Sequence, residues 1–577
     1  MTRGAASGYT RNQELVPLRF LALTSPLEFH DRNSAAMFVA HGFRCAAIAV
    51  MLITLPCTLV AEEKFPLGDD LRLLESDTQS QEYAALLAQM NGPDLDAEWR
   101  RVETRDSAAA FAKQQGGLEK VMADPALQAA YERRAKIRED YLNLIRGVYA
   151  QRKQTAPFDK GQVAMAAGTV RGSEVPALDL AIVLPSPGAE KQWPRFRGPT
   201  GQGIAVGDAS TQWPTTWSDT ENIAWKATLP GDGNSSPVIW NDRIFLTTAG
   251  AAGSQRSLHA LDTKNGAIVW TYELPEHAIE PDVRDKNGFA SATPVTDGER
   301  VITYFGSGGL ICCDMQGKLL WKYDTSNFNS LWGSGASPLL YENLVILVHD
   351  QNRGASLAFA LDKVTGERVW SIERPKAMGW STPTIVRMKE RDELLYAGGE
   401  MLTAYEPRTG KQLWSLAGPT KEVVPTIVIG ERLIYSASGR QGPTLAVRPG
   451  GTGDVSETHL AWTAVRGGPH VPSPVLFDNK LFVVNDFGIA TCVDALTGEF
   501  VWQERIRDKF SASGVLLGDT IYFPSETGVT YLIRASGKYE LVGKNTLPDP
   551  ILASPAAING RIYMRSGRVL YAIEQPQ

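Results

Sequence analysis

Cysteine is scarce in this chain, five residues in 577, and that scarcity excludes a disulfide framework as the source of stability. Removal of an export signal after Ala61 leaves Cys312, Cys313 and Cys492, so packing has to hold the fold together. An excess of basic residues is also missing. The formal charge of −6 gives no cationic surface of the kind a phosphate backbone requires, and no nucleic-acid partner is expected. The seven histidines show no metal-ligand spacing. There is no nucleophile elbow, phosphate loop or CxxCH haem site. The main apolar run, Cys45 to Val60, stops at 16 residues, short of the ~20 that span a bilayer.

What that run does fit is an export signal, with Arg44 ahead of it and Ala61 before Glu62 and Glu63. Residues 1–61 therefore read as an N-terminal extension and signal peptide, opening near Met37, with an uncleaved membrane anchor as the alternative. Pro56 directly before Cys57 argues against lipidation there. Periplasm or cell envelope is the expected location. Residues 62–155 read as helical: Asp124 and Pro125 form an N-cap and first-turn pair, and Leu127, Tyr131, Tyr141, Ile145 and Val148 follow at helical spacing. Residues 156–192, with Pro157, Pro176, Pro185 and Pro187, read as a linker.

From Trp193 the pattern becomes short alternating strands with turn signals, and it repeats. The unit is SPxxxxxxRhxhh…LxALDxxTGxxhW, where h is apolar. Its opening landmark falls at Pro237, Pro294, Pro338, Pro383, Pro425, Pro474, Gly514 and Pro555. Its closing Trp recurs at 225, 270, 321, 370, 414, 462 and 502, with Leu541 near the equivalent point of the weakest copy. The turn glycines supply positive φ and the tryptophans fill space between sheets. The last copy lacks its Trp strand, and an orphan strand, Asn222 to Leu229, precedes the first landmark. A ring closed by that strand is implied: an all-β, eight-bladed propeller over residues 193–577.

The ALDxxTGxxxW unit resembles the repeat of the pyrroloquinoline quinone (PQQ) propellers, over roughly residues 193–577. WPRFRGPTGQG, GWSTPTIV and RPGGTGDV look like the secreted PQQ-binding-like propellers of environmental bacteria. The resemblance implies one of two roles: a quinoprotein alcohol or sugar dehydrogenase, or a cofactor-free protein-binding propeller like that of the outer-membrane β-barrel assembly machinery. Fold similarity does not choose between them.

A PQQ enzyme needs an aromatic platform, cations for the quinone carboxylates, oxygen ligands for Ca²⁺ and an Asp base. The candidates for such a funnel pocket are Trp332, Trp380, Arg440, Asp350 and Asp486, with His349 and Asn485 beside them. Cys312-Cys313 resembles the vicinal pair of some family dehydrogenases, but both residues sit on a regular strand and should point to opposite faces. No catalytic residue and no metal ligand is assigned. The expectation is an exported, non-catalytic scaffold without a cofactor that binds an envelope protein or cell-surface component. The alternative is a PQQ- and calcium-dependent dehydrogenase, and a third reading is polymer binding at the funnel.

Overall fold

A computed structural model describes nearly all of residues 178–575 and parts of 87–164. The chain divides into Met1–Leu73 and Leu74–Gln577, and every described residue lies in the second unit. The expected signal segment near residues 37–61 lies outside the described residues. In the N-terminal part, Leu118–Ala123 forms a helix, and Asp124 Oδ1 then accepts the amides of Ala126 (2.8 Å) and Leu127 (3.2 Å), capping the helical residues 125–131. Among the described residues no helix is long and apolar enough to cross a membrane.

From residue 223 onward the alternating strands form eight antiparallel sheets around a common axis. Seven sheets are contiguous in sequence: residues 238–273, 295–323, 339–373, 384–417, 428–464, 475–505 and 515–546. The eighth joins residues 556–573 to the orphan strand Ile223–Thr228, which pairs antiparallel with Val569–Ile573 and closes the ring. The segment read as a linker also contributes strands. Val163–Ala164 pairs with the outer strand of the fifth blade, and Ala181–Ile182 with the innermost strand of the fourth.

The repeat residues meet at the joints between blades. The Trp of one blade lies on the turn glycine of the next, and its indole N–H donates to a carbonyl of that turn. Trp225 reaches Thr263 O (2.9 Å), Trp270 reaches Met315 O (2.9 Å), Trp321 reaches Lys363 O (3.0 Å) and Trp370 reaches Pro407 O (3.0 Å). Trp462 to Ala495 O (2.9 Å) and Trp502 to Ser536 O (3.0 Å) repeat the hydrogen bond. A Cβ on Gly266, Gly317, Gly366, Gly410 or Gly498 would stand 2.5–2.7 Å from the indole above it. These glycines are therefore fixed by close approach as well as by φ values of 72–86°. Each buried indole removes enough apolar surface to contribute on the order of 4 to 6 kcal/mol as an upper bound.

Three joints depart from the rule; at the sixth–seventh joint Trp502 keeps its hydrogen bond, but a Cβ on Gly537 would meet Lys480 (3.5 Å) and Val501 (3.8 Å) and no indole. The fifth blade lacks the turn, and Trp414 donates instead to Glu393 Oε2 (2.8 Å), a fully buried carboxylate that also takes the Gly450 amide (3.2 Å). In the seventh blade the register places Gly543, and not Leu541, at the Trp position. A tryptophan from upstream fills that joint: Trp217 stacks on Tyr522 (6.0 Å, 5°), and its amide donates to Asn545 Oδ1 (2.9 Å). The landmark of the fifth copy also shifts. Strand Val428–Ile429 puts Thr426 and Ile427 where the other blades have Ser/Thr and Pro, two residues after Pro425.

Gly410→Ala should cost about 2–4 kcal/mol, because it adds overpacking against Trp370 to a strained φ of 72°. Gly518→Ala, at φ 61° with nothing within 4 Å of the new Cβ, should cost about 1 kcal/mol. Denaturant unfolding followed by tryptophan fluorescence compares the two, and equal losses would mean that the Trp contact does not fix the glycine.

Candidate functional site

The inner strands enclose a channel on the axis, and its walls are already in use. The residue before each landmark is Ser or Thr in all eight blades: Ser236, Thr293, Ser337, Thr382, Thr426, Ser473, Ser513 and Ser554. The amide of each donates to the hydroxyl of the next in two arcs. One runs Ser236–Thr293–Ser337–Thr382 (3.0–3.1 Å) and the other Thr426–Ser473–Ser513–Ser554 (2.9–3.0 Å). Where the arcs fail to join, the accepting hydroxyls of Ser236 and Thr426 are buried without a partner.

Residues 193–206 close one end of the channel and touch every blade. Trp193 exchanges both backbone hydrogen bonds with Ile239 of the first blade (3.0 and 2.7 Å), and Pro194 O accepts Thr296 N–H of the second (2.9 Å). Arg195, Phe196 and Gly201 face Pro338, Thr382 and Thr426 of the third, fourth and fifth. Gln202 Oε1 accepts Ile429 N–H of the fifth (2.9 Å), and Arg197 Nη2 donates to Pro474 O of the sixth (2.5 Å). Gly203 and Ala205 bracket Leu516 of the seventh, and Val206 lies between Ala557 and Asn559 of the eighth.

The opposite mouth carries the residues offered as a funnel pocket. Trp332 and Trp380 do come together, stacked on each other at 6.0 Å and 8°, so each gives one ring face to the other. Trp332 holds a φ of 69°, with its carbonyl on Asn287 Nδ2 (2.8 Å), and Trp380 Nε1 donates to Gly333 O (2.7 Å). Asp350 is fully buried and both its oxygens are taken by Arg374, at 2.5 and 2.9 Å. Arg374 in turn lies over Tyr396 (4.5 Å) and donates to the Tyr405 hydroxyl. Burial opposes the charge on Arg374, but the Asp350 carboxylate outweighs it and raises its pKa. His349 packs flat on Phe328 (4.7 Å), and burial pulls its pKa down to about 3, so it is neutral at physiological pH.

Asp486 lies at the joint of the fifth and sixth blades, accepting the His470 amide at 2.5 Å, and burial raises its carboxyl pKa. Arg440 lies outside the described residues. Cys312 and Cys313 face opposite sides of strand Leu310–Asp314, as the alternation requires: one joins the core toward the third blade and the other the core toward the first. Both are free and buried, and burial pushes the Cys313 thiol up to about 12. Among the described residues no cluster of His, Cys, Asp and Glu could hold a metal. Of the candidates, Trp332 and Trp380 stack together, whereas Asp350 is taken by Arg374 and Asp486 by the His470 amide.

Sequence reasoning missed two features of this mouth. One is a second buried ion pair, Arg256 to Glu280 at 2.6 Å, whose carboxylate also takes the Ser307 amide (2.7 Å). The other is an open groove of about 680 Å³ between the sixth and seventh blades, lined by Phe487, Arg505, Arg507, Asp508, Lys509 and Thr527. Phe487 is 58% exposed. Among the described residues, Arg505, Arg507 and Lys509 form no ion pair. Asp508 is occupied: burial opposes its ionisation, but hydrogen bonds from Thr527 (2.7 Å), Tyr531 (3.0 Å) and the Lys509 amide (2.7 Å) hold its pKa below the usual value. The sequence signal was the run Arg505-Ile-Arg-Asp-Lys509, which begins on the final residue of the last strand of the sixth copy.

Asp350→Asn should destabilise the protein by about 3–5 kcal/mol, because it leaves Arg374 buried without a counter-charge. The double change Asp350→Leu with Arg374→Met should recover most of that loss in a thermal melt. A neutral Asp350→Asn would mean that the carboxylate is free for other work.

Residues 190–286 and 254–504 match the family model described as outer membrane protein assembly factor BamB. A curated relative, outer membrane protein assembly factor BamB of Burkholderia pseudomallei, is 24% identical over 335 residues, 55% of this chain and 78% of that protein. Among solved structures, BamB of Moraxella catarrhalis is 16% identical, with a TM-score of 0.45 over 61% of this chain and 98% of the other. Quinohemoprotein alcohol dehydrogenase of Comamonas testosteroni is 13% identical, with a TM-score of 0.49 over 67% and 81%. With the family model spanning more than half of its residues, the chain belongs to the PQQ-like β-propeller family.

Proposed function

We propose that this protein is an exported, non-catalytic binding propeller of the cell envelope. Its partner is a protein segment that docks in the groove between the sixth and seventh blades. The observation that carries this reading is the contrast between two kinds of polar group on one face. At the axis, Asp350 and Glu280 are each consumed by a buried arginine. At the groove, three cations stand without carboxylate partners beside an exposed phenylalanine, in a chain whose formal charge is −6.

Clustered cations with an aromatic anchor suit an extended, acidic peptide carrying an apolar side chain. The curated relative named as an outer membrane assembly factor supports an envelope role with protein partners. Neither PQQ nor calcium has a part in this reading, since the residues offered for them are engaged in packing and ion pairs.

Fluorescence anisotropy with a labelled acidic peptide containing one Phe or Trp tests the groove. Binding should weaken at least about tenfold in Arg505→Glu/Arg507→Glu/Lys509→Glu, and by about one to two orders of magnitude between 50 and 200 mM salt. Equal affinity for a charge-inverted peptide, or an unaffected triple variant, would remove the groove as the binding surface.

A further inference from the structure

The plugged channel contains cationic charge with no protein counter-charge. Arg195 and Arg197 are 5% and 1% exposed, and among the described residues neither pairs with a carboxylate. Arg195 donates Nε to Pro199 O (3.1 Å) and Nη2 to Val183 O (3.3 Å), both neutral acceptors. Arg197 donates Nη2 to Gln202 O (3.0 Å) and Pro474 O (2.5 Å), while its Nε and Nη1 have no partner. Burial lowers the two pKa values to about 10 and about 9, which leaves both guanidinium groups charged at neutral pH.

Beside Arg195 lies a small cavity of about 10 Å³, room for a single ion or water, lined also by Thr382, Thr384 and Thr426 and by the apolar surfaces of Phe196 and Leu339. Thr384 and Thr426 are 2% and 4% exposed, and the hydroxyl of each is without a hydrogen-bond partner. The cavity coincides with the break in the hydroxyl belt between Thr382 and Thr426. A buried cation without a counter-ion costs several kcal/mol, and each unsatisfied hydroxyl about 1–3 kcal/mol more. One small anion would meet all three demands, because a guanidinium and two hydroxyls are all donors. A neutral acceptor would satisfy the hydroxyls and leave the charge uncompensated.

We infer that the axial cavity is a binding site for a small inorganic anion of the chloride class, held by Arg195 and by the hydroxyls of Thr384 and Thr426. The site ties the plug to the third, fourth and fifth blades. It does not depend on the partner proposed for the groove.

The test is the melting temperature of the full chain at constant ionic strength as gluconate is replaced by chloride, joined to crystals soaked in bromide. The melting temperature should rise by several degrees and saturate, as expected when a ligand binds only the folded state. Anomalous bromide density should appear between Arg195, Thr384 and Thr426. The variant Thr384→Val/Thr426→Val, which keeps the shape of the wall, should fold and lose the halide response. A melting temperature indifferent to chloride would overturn the inference, whether the cavity shows no bromide or an adventitious ion only. So would a full response in the double variant.

Discussion

An indole packed into the joint holds each blade of this ring to the next, laid on a turn glycine at five of the eight joints, and the closed form depends on that packing. A ring is only as strong as its weakest joint, so the two copies that lost the pattern had to be mended. Glu393 receives the indole N–H of Trp414 where the fifth blade has no turn to offer a carbonyl. Trp217 enters from the N-terminal side where the seventh blade has Gly543 in place of its own tryptophan. Both repairs bury a polar or aromatic group that would otherwise be unexplained, and both lie far in sequence from a neighbour they serve. Pairing of Ile223–Thr228 with Val569–Ile573 then completes the eighth blade and closes the ring.

The same economy governs the axis. A channel lined by eight inner strands presents eight sets of backbone groups and side chains that could bind a ligand. Here the Ser/Thr belt, the plug of residues 193–206 and the buried pairs Arg374–Asp350 and Arg256–Glu280 take up most of them. Both carboxylates of those pairs are engaged by guanidinium groups, and Trp332 and Trp380 each give one ring face to the other. On the open face, exposed cations without carboxylate partners among the described residues gather away from the axis, at Arg505, Arg507 and Lys509 beside Phe487.

Much of the architecture was legible because the repeat is mechanical. Period, turn glycines and closing tryptophans gave the eight blades, and the strand Asn222–Leu229 without a partner gave the closure. The alternation rule correctly put Cys312 and Cys313 on opposite faces. Register was less legible where a copy had decayed: Pro425 attracted the landmark that belongs to Ile427, and Leu541 the position that belongs to Gly543. The candidate site was read only in part. Proximity before a landmark brought Trp332 and Trp380 together, but nothing in a single sequence reveals that Asp350 finds Arg374, which lies across a strand pair. The groove escaped notice because its residues come from two blades, and cationic runs on loops look like ordinary solvated surface.

The claim on which this account rests is that the polar groups at the mouth are committed to structure. Isothermal titration of the protein from Glu62 with PQQ, with and without Ca²⁺, followed by a dye-linked alcohol oxidation assay, tests it most directly. The account predicts no saturable heat in either condition and no oxidation. Saturable, calcium-dependent binding with turnover would contradict it and return Trp332, Trp380 and Asp350 to the status of a cofactor site.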